Sequence, residues 1–254
     1  MNFLKTILLI LLGTVIMFAQ DSTMTTKSKT FVFVHGAWGG GWDYKHMEEL
    51  IEAHGHKVYR PTLTGQGERE HLNGPNVNLD THITDIVNVI KFEDLHDIIL
   101  IGHSYGGMVI TGVADSIPER ISHIVYADAM LPQNGESVFD IWGDGEKFFS
   151  DLAKSYGKDY AIPPFWPDWG KDVPQPYGTF KHPISLTNQE EALKIPATYI
   201  LTIDPGKDTD DFSKFAERAK ERGWEYYEFQ TGHNLQRTIP DEYAELLLKI
   251  AAEK

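Results

Sequence analysis

Short runs of β-branched and aromatic residues alternate with helical segments along most of this 254-residue chain. The first run, Thr30 to Val34, is apolar and stops at His35-Gly36, which is typical of a buried strand. Such alternation builds parallel strands joined by crossover helices, so we predict an α/β fold with a mostly parallel sheet and helices on both faces. The predicted strands are 30–34, 56–60, 97–102, 121–127, 197–203 and 224–229, and the predicted helices are 47–55, 80–92, 106–117, 211–222 and 241–252.

One region, residues 130–194, interrupts the alternation. It holds eleven aromatic residues between Phe139 and Phe180, and five prolines between Pro163 and Pro176 interrupt any long helix there. A segment of this length without a strand rhythm is typical of a lid or a binding loop. We therefore predict a lid that covers the substrate, with Trp142 lining the site, in preference to a cap that only packs on the core.

The charge balance and the absence of cysteine exclude several functional classes. Lys and Arg number 23 against 37 Asp and Glu, so the formal net charge is −14. A field of that sign repels nucleic acids and anionic lipid surfaces, and we expect neither as a partner. Without cysteine the chain has no disulfide, no thiolate zinc site and no cysteine nucleophile.

The first 19 residues are predicted to be a signal peptide. Lys5 precedes a run, Ile7 to Ala19, that is almost wholly apolar and short for a membrane span. Ala19 offers a small residue for cleavage, although an uncleaved N-terminal anchor is the alternative. Residues 20–29 are polar and are predicted to be a tether before a folded domain at 30–254. We therefore expect export, either to a periplasm or out of the cell.

A candidate nucleophile lies between a predicted strand and a predicted helix. Gly102-His103-Ser104-Tyr105-Gly106 has the pattern G-x-S-x-G. A serine on a tight strand-to-helix turn has a strained backbone and needs small neighbours, which the glycines supply. The alternative is a glycine-rich turn without chemistry. In that strand-to-helix context we favour Ser104 as a nucleophile, with the helix N-terminus facing any negative charge that forms.

A serine hydroxyl needs a base that is oriented by an acid. His233 follows the last predicted strand, beside a glycine and before the last helix, and is the candidate base. Two acids remain open for the third position. Asp128 ends the strand after the nucleophile, where a carboxylate among apolar neighbours needs a partner. Asp204 ends the next strand; we favour Asp128 by a narrow margin.

The glycine-rich loop after the first strand, His35 to Gly41, is a candidate oxyanion hole. The main-chain N–H groups of Ala37 and Tyr105 would be its two donors. Gly36 and His103 are predicted to line the substrate site beside them. A plain turn and a weak phosphate site are the alternatives, but the loop lacks the Lys-Ser/Thr of a P-loop and the spacing of a dinucleotide site. We predict no metal site.

Several motifs in order resemble those of the α/β-hydrolases. Within that family the chain is most similar to the branch of plant methylesterases, hydroxynitrile lyases and related bacterial esterases. The resemblance implies a serine nucleophile and a histidine base, with no metal and no organic cofactor. The stretches that carry it are Phe33-Val34-His35-Gly36-Ala37-Trp38, Pro61-Thr62-Leu63-Thr64-Gly65-Gln66-Gly67-Glu68-Arg69, Gly102-His103-Ser104-Tyr105-Gly106-Gly107-Met108 and Thr231-Gly232-His233.

Two positions distinguish lyases from esterases in that branch. The lyases carry Thr after the first-strand histidine and Lys after the catalytic histidine, whereas this chain has Gly36 and Asn234. The resemblance to the plant enzymes would select Asp204 as the acid, and the resemblance to related dehalogenases would select Asp128. We therefore predict a serine esterase that acts on small apolar or aromatic esters. A lyase or carbon–carbon hydrolase with the same triad, and a ligand-binding protein without activity, are the alternatives.

Overall fold

The computed structural model describes residues 28–164 and 170–253 of the chain. The predicted signal peptide, most of the predicted tether, and Phe165, Trp166 and Trp169 of the aromatic region lie outside these residues. Within the described ranges, no helix combines the length and the apolar character needed to cross a bilayer.

A six-stranded sheet forms the centre of the fold, and all its paired strands are parallel. Its strands are β1 (Thr30–Val34), β2 (Lys57–Tyr59), β3 (Ile98–Ser104), β4 (Ile121–Ala129), β7 (Ala197–Ile203) and β8 (Glu225–Gln230). The order across the sheet is β2-β1-β3-β4-β7-β8, which places β3 and β4 at the centre. The predicted parallel α/β architecture is confirmed.

Helices cover both faces of this sheet because successive strand residues point to opposite sides. Leu100 packs in a cluster with α2 (Leu79–Phe92), α3 (Gly106–Ser116) and α8 (Ser213–Glu221). Its neighbour Ile99 packs in a second cluster with α1 (Lys45–Glu52) and α10 (Pro240–Ala252). Both residues are fully buried. The unbroken apolar run of β3 therefore follows from a strand covered on two sides.

The region between β4 and β7 corresponds to the predicted insert at 130–194. It contains α4 (Val138–Ile141), α5 (Gly145–Tyr156), α6 (Tyr177–Lys181), α7 (Gln189–Ala192) and a small antiparallel pair, β5 (Ala161–Ile162) with β6 (Gln175–Pro176). The prolines from Pro163 onward leave room for a helix in the first half of this region, where α5 runs for 12 residues before the first of them. Phe149 of α5 is buried against Phe139 and Phe180, so aromatic packing holds this helix against the other elements of the insert.

Parallel strands bring their carboxyl ends to one edge of the sheet. Five segments therefore meet at that edge: the loop after β1, the ends of β3 and β4, and the loops after β7 and β8. These segments carry all the candidate site residues except Trp142. A short helix, α9 (Leu235–Thr238), begins two residues after His233.

Candidate active site

Ser104 is the last residue of β3, and its backbone is in the left-handed region, with φ of 53°. Non-glycine residues rarely adopt this conformation, and it is typical of functional turns. The turn depends on glycines that let other main chains approach. A Cβ on Gly106 would lie 2.5 Å from the Val34 carbonyl oxygen, and one on Gly107 would lie 2.0 Å from that of Met130. The G-x-S-x-G segment thus has the sharp strand-to-helix geometry that the sequence predicts.

Asp128 lies on a bulge in β4 beside this turn. His103 pairs with Ala127 and Ser104 pairs with Ala129, so Asp128 is an extra residue with no partner in the register. Its φ of 45° is also left-handed. A bulge of this kind redirects a side chain at the end of a strand. The fully buried carboxylate lies at the strand end beside Ser104.

The imidazole of His233 pairs with Asp128. The distance from His233 Nδ1 to Asp128 Oδ2 is 2.5 Å. Thr202 of β7 completes the surroundings of the carboxylate, donating its main-chain N–H to Oδ1 at 2.9 Å and its hydroxyl to Oδ2 at 2.7 Å. Three donors therefore satisfy a buried carboxylate, which would otherwise be costly to bury as an ion.

Asp204, the alternative acid, makes a different contact. Its Oδ2 accepts from Lys207 Nζ at 2.7 Å, and its side chain is 46% exposed. It lines the cavity near His233 without a hydrogen bond to it. The structure thus places Asp128, and not Asp204, at the imidazole.

Two further rings hold His233 in place. Phe212 stacks on its imidazole with centroids 4.7 Å apart and planes 27° apart. His103 Nε2 lies 2.8 Å from the main-chain oxygen of His233, so His103 carries its proton on Nε2 and donates. Burial, and then the nearby charge of His233, lower the pKa of His103 to about 3, so it stays neutral at ordinary pH. Nothing in the sequence pattern indicates Phe212, and Thr202 is one of two threonines in β7, so the pattern does not distinguish it either.

Ser104 and His233 face the same cavity, but among the described residues no hydrogen bond joins the serine hydroxyl to the imidazole. Contacts between a nucleophile and its base often tighten only when substrate binds. The main-chain N–H groups of Ala37 and Tyr105, the predicted oxyanion donors, have no acceptor among the hydrogen bonds of the described residues. Both remain available to an incoming oxygen.

The cavity at this edge has a volume of about 540 Å³. Among the described residues, Gly36 and His103 line it and Trp142 does not. The Trp142 ring packs instead edge-on against Phe212, with ring centroids 5.8 Å apart, and Lys214 Nζ lies 4.7 Å from the centroid of the Trp142 ring. Trp142 therefore contacts Phe212, which in turn stacks on His233. The lining residues are Gly36, Ala37, Trp38, Gly39, Asp43, His103, Ser104, Asp172, Asp204, His233, Asn234 and Arg237.

The described wall of the cavity is more polar than the aromatic insert suggests. Apart from two histidines, Trp38 is its only aromatic member among the described residues, whereas three aspartates line it. One of them, Asp43, accepts from Arg237 Nε at 2.6 Å and from Gln236 Nε2 at 2.6 Å. Within residues 28–164 and 170–253, no group of three or more His, Asp or Glu side chains is arranged to hold a metal ion.

Known proteins share both the sequence and the fold. A curated relative, the carbendazim hydrolyzing esterase of a Nocardioides strain, is 39% identical over 238 residues, or 85% of this chain and 97% of that protein. The putative chloroplastic methylesterase 13 of Arabidopsis thaliana is 31% identical over 126 residues, 46% of this chain and 27% of that protein.

Among solved structures, an extracellular α/β-hydrolase from a Paenibacillus species superposes with a TM-score of 0.74 and 27% identity. The match covers 87% of this chain and 98% of that one, which is described as a structural and functional homologue of tobacco salicylic acid binding protein 2. The sequence pattern of the alpha/beta hydrolase family matches residues 31–246. The resemblance inferred from the motifs is confirmed, and the chain belongs to the α/β-hydrolase family.

Proposed function

We propose that the protein hydrolyses small carboxylic esters through an acyl-enzyme on Ser104. The observation that carries the proposal is the pairing of His233 with the buried Asp128, whose carboxylate accepts three hydrogen bonds. His233 and Ser104 line the same cavity, and Asp128 lies behind the imidazole. A nucleophile and a base on one cavity, with a carboxylate that orients the base, are the arrangement that acyl transfer requires. The esterase and methylesterase relatives support ester hydrolysis.

In the first half of the reaction, Ser104 Oγ attacks the ester carbonyl while His233 Nε2 takes the hydroxyl proton. Asp128 accepts from Nδ1 and stabilises the imidazolium that forms. The negative oxygen of the tetrahedral intermediate accepts from the N–H groups of Ala37 and Tyr105, each contributing about 3 kcal/mol. When the intermediate collapses, the bond to the leaving oxygen breaks and His233 returns its proton to the departing alcohol.

In the second half, water replaces the alcohol. His233 removes a proton from this water as it attacks the acyl-serine carbonyl, and the same two N–H groups hold the second oxyanion. Collapse releases the carboxylic acid and restores the serine hydroxyl. The reaction consumes one ester and one water and needs no redox partner.

The charge of the chain favours neutral or cationic esters over anionic ones, because a net charge of −14 disfavours the approach of an anionic substrate. Within the cavity, Asp43 pairs with Arg237 and Asp204 pairs with Lys207, so the preference rests on the field of the whole molecule. Carbendazim, which a relative's name gives as its substrate, joins a flat heteroaromatic ring to a methyl carbamate, and we include aryl carbamates in the proposed range.

The lyase alternative finds little support in the site. Asn234 lines the cavity at the position where the lyases carry the lysine that handles cyanide. Asparagine has no positive charge to stabilise a departing anion.

The decisive experiment is an ester panel with wild type, Ser104→Ala and the matched surface control Ser155→Ala. The panel contains p-nitrophenyl acetate, neutral methyl esters, carbendazim and a succinate monoester as the anionic member. We expect Ser155→Ala to match wild type and Ser104→Ala to lose on the order of 10⁶ in kcat. Hydrolysis by Ser104→Ala at the original rate, or no hydrolysis of any ester by wild type, would overturn the proposal.

We also propose that the protein is exported, with residues 1–19 acting as a cleaved signal peptide. A basic start, an apolar run and Ala19 support this. The Paenibacillus structure, which aligns over 87% of this chain, is of an extracellular protein.

A further inference from the structure

The histidine after β1 is buried beneath the loop that carries Ala37. His35 is 1% exposed and uses both nitrogens of its ring. Nδ1 lies 2.7 Å from the Gly36 main-chain oxygen, and Nε2 lies 3.1 Å from the main-chain nitrogen of Leu63. The side chain therefore joins the Ala37 loop to the segment that follows β2.

These two contacts fix the tautomer of His35. The Leu63 main-chain nitrogen can only donate, so Nε2 must be the unprotonated acceptor. The ring proton is then on Nδ1, which donates to the Gly36 oxygen. Burial lowers the pKa of His35, which is consistent with a neutral ring that both donates and accepts.

The Gly36 oxygen and the Ala37 N–H belong to the same peptide unit. Among the described residues every peptide bond is trans, so these two groups point in opposite directions in one plane. A donor that holds the oxygen on the buried side therefore directs the N–H toward the opposite side. Ala37 lines the cavity with Ser104, and its N–H has no acceptor among the described hydrogen bonds.

The loop needs such a brace because its own sequence is permissive. Gly36, Gly39, Gly40 and Gly41 surround Ala37, and glycine restricts backbone rotation least of all residues. On the far side, Trp38 is held by the insert, because its main-chain N–H donates to Gln175 Oε1 at 3.1 Å. His35 provides the corresponding hold before Ala37.

We propose that His35 is a positioning residue for the oxyanion hole: its Nδ1–H holds the Gly36–Ala37 peptide in the orientation that presents the Ala37 N–H to the reacting carbonyl oxygen. The inference rests on the proposed ester hydrolysis. It adds a role for a histidine that does not touch the substrate and takes no proton during the reaction. The hydrogen bond to the Gly36 oxygen also polarises the peptide and makes its N–H a stronger donor.

Two substitutions separate the two contacts of the ring. In His35→Asn the side-chain amide nitrogen replaces Nδ1 and can donate to the Gly36 oxygen, but nothing replaces Nε2. In His35→Gln the amide oxygen replaces Nε2 and can accept from Leu63, but nothing replaces Nδ1. A purely structural role predicts losses of activity that follow the stability of each variant. The positioning role predicts that activity follows the Nδ1 donor alone.

The test measures kcat and KM for p-nitrophenyl acetate, together with urea unfolding midpoints, for wild type, Ser104→Ala, His35→Asn and His35→Gln. We expect His35→Gln to lose roughly 10-fold to 100-fold in kcat with little change in KM, because the lost interaction is made in the transition state. We expect His35→Asn to keep kcat within about threefold of wild type, even where its midpoint is the lower of the two.

The ratio of kcat between His35→Asn and His35→Gln, corrected for the folded fraction of each, decides the matter. A ratio of about ten or more supports the proposal, and any smaller ratio overturns it. If one variant does not fold, binding of a phenylboronic acid, a tetrahedral oxyanion analogue, by the other replaces the ratio. If only His35→Asn folds, it must keep the wild-type affinity for the boronic acid. If only His35→Gln folds, its affinity must fall about tenfold. An inactive wild type refutes ester hydrolysis, whereas an active wild type with equal variants refutes only the role of His35.

Discussion

Ser104 and Asp128 share an unusual backbone conformation on neighbouring strands. Both have positive φ, at 53° and 45°, and both lie where the register between β3 and β4 shifts. Residues in this region are held there only when the surrounding structure is strong enough to impose it. The centre of a fully covered parallel sheet provides that support. The two proposed chemical groups thus lie at the ends of the two central strands of the sheet.

At the residue scale, the acid can be identified by exchanging one carboxylate at a time. Asp128→Asn keeps the shape but removes the charge opposite His233 Nδ1, and it can leave the imidazole in the wrong tautomer. We expect kcat to fall by on the order of 10⁴, as in triads of this kind. Asp204→Asn, which loses only a contact to Lys207, keeps kcat within about tenfold.

Steady-state kinetics on both variants with one ester checks this prediction, and circular dichroism verifies that each remains folded. A larger loss for Asp204→Asn than for Asp128→Asn would contradict the assignment.

The sequence indicates some of these residues well and others not at all. Ser104 and His233 follow from local patterns, because a strand, a turn and small neighbours lie next to them in the chain. The choice between Asp128 and Asp204 depends on a one-residue bulge, which no pattern of apolar residues encodes. Phe212 and the His35 contacts join segments far apart in the chain, so only the folded arrangement reveals them.

At the scale of elements, α3 packs against the end of β4 with almost no space between them. A Cβ on Gly107, in the first turn of α3, would lie 2.0 Å from the Met130 oxygen and 2.9 Å from its nitrogen. These are main-chain atoms, which cannot rotate away as a flexible side chain can. The contact therefore requires glycine for the helix and the strand to meet.

Gly107→Ala is accordingly expected to lower the free energy of unfolding by about 2–3 kcal/mol, as overpacking of a closed contact does. Gly74→Ala is the matched control, because a Cβ there meets nothing within 4 Å and its φ is not left-handed. Urea denaturation of both variants measures the difference. Equal midpoints for the two variants would show that α3 can move away from β4 at no cost.

Most elements can be located from their periodicity, and the insert shows where that method fails. The strands at 30–34 and 197–203 agree with the predicted boundaries because both are apolar runs closed by polar or glycine residues. Helix α5 has a helical period of its own, since the buried Phe149 and Ala153 are four residues apart, but the period does not show what this face packs against. Its partners Phe139 and Phe180 lie in other elements of the insert. The position of Trp142 depends in the same way on Phe212, which comes from outside the insert.

At the scale of the whole molecule, the proposed export determines where the active protein is found. We expect full-length expression in a Gram-negative host to yield a periplasmic protein whose first residue is close to Gln20, as intact mass and N-terminal sequencing would show. A chain that begins at Gln20 should remain in the cytoplasm and fold there, since it has no cysteine that requires oxidation. Recovery of the full-length chain with Met1 intact in the membrane fraction would instead indicate an uncleaved anchor.

The location of the carboxylate on β4 also affects how the protein can acquire new substrates. Ser104 and Asp128 are joined through the middle of the sheet, whereas Asp204 stands at the rim of the cavity on the loop after β7. A loop without a part in proton transfer can vary in sequence, length and charge at little cost to turnover. Random substitution at 204 and its neighbours is therefore a direct route to altered selectivity in laboratory evolution. In a protein with the acid after β7, the same mutations would destroy activity before any new preference could be selected.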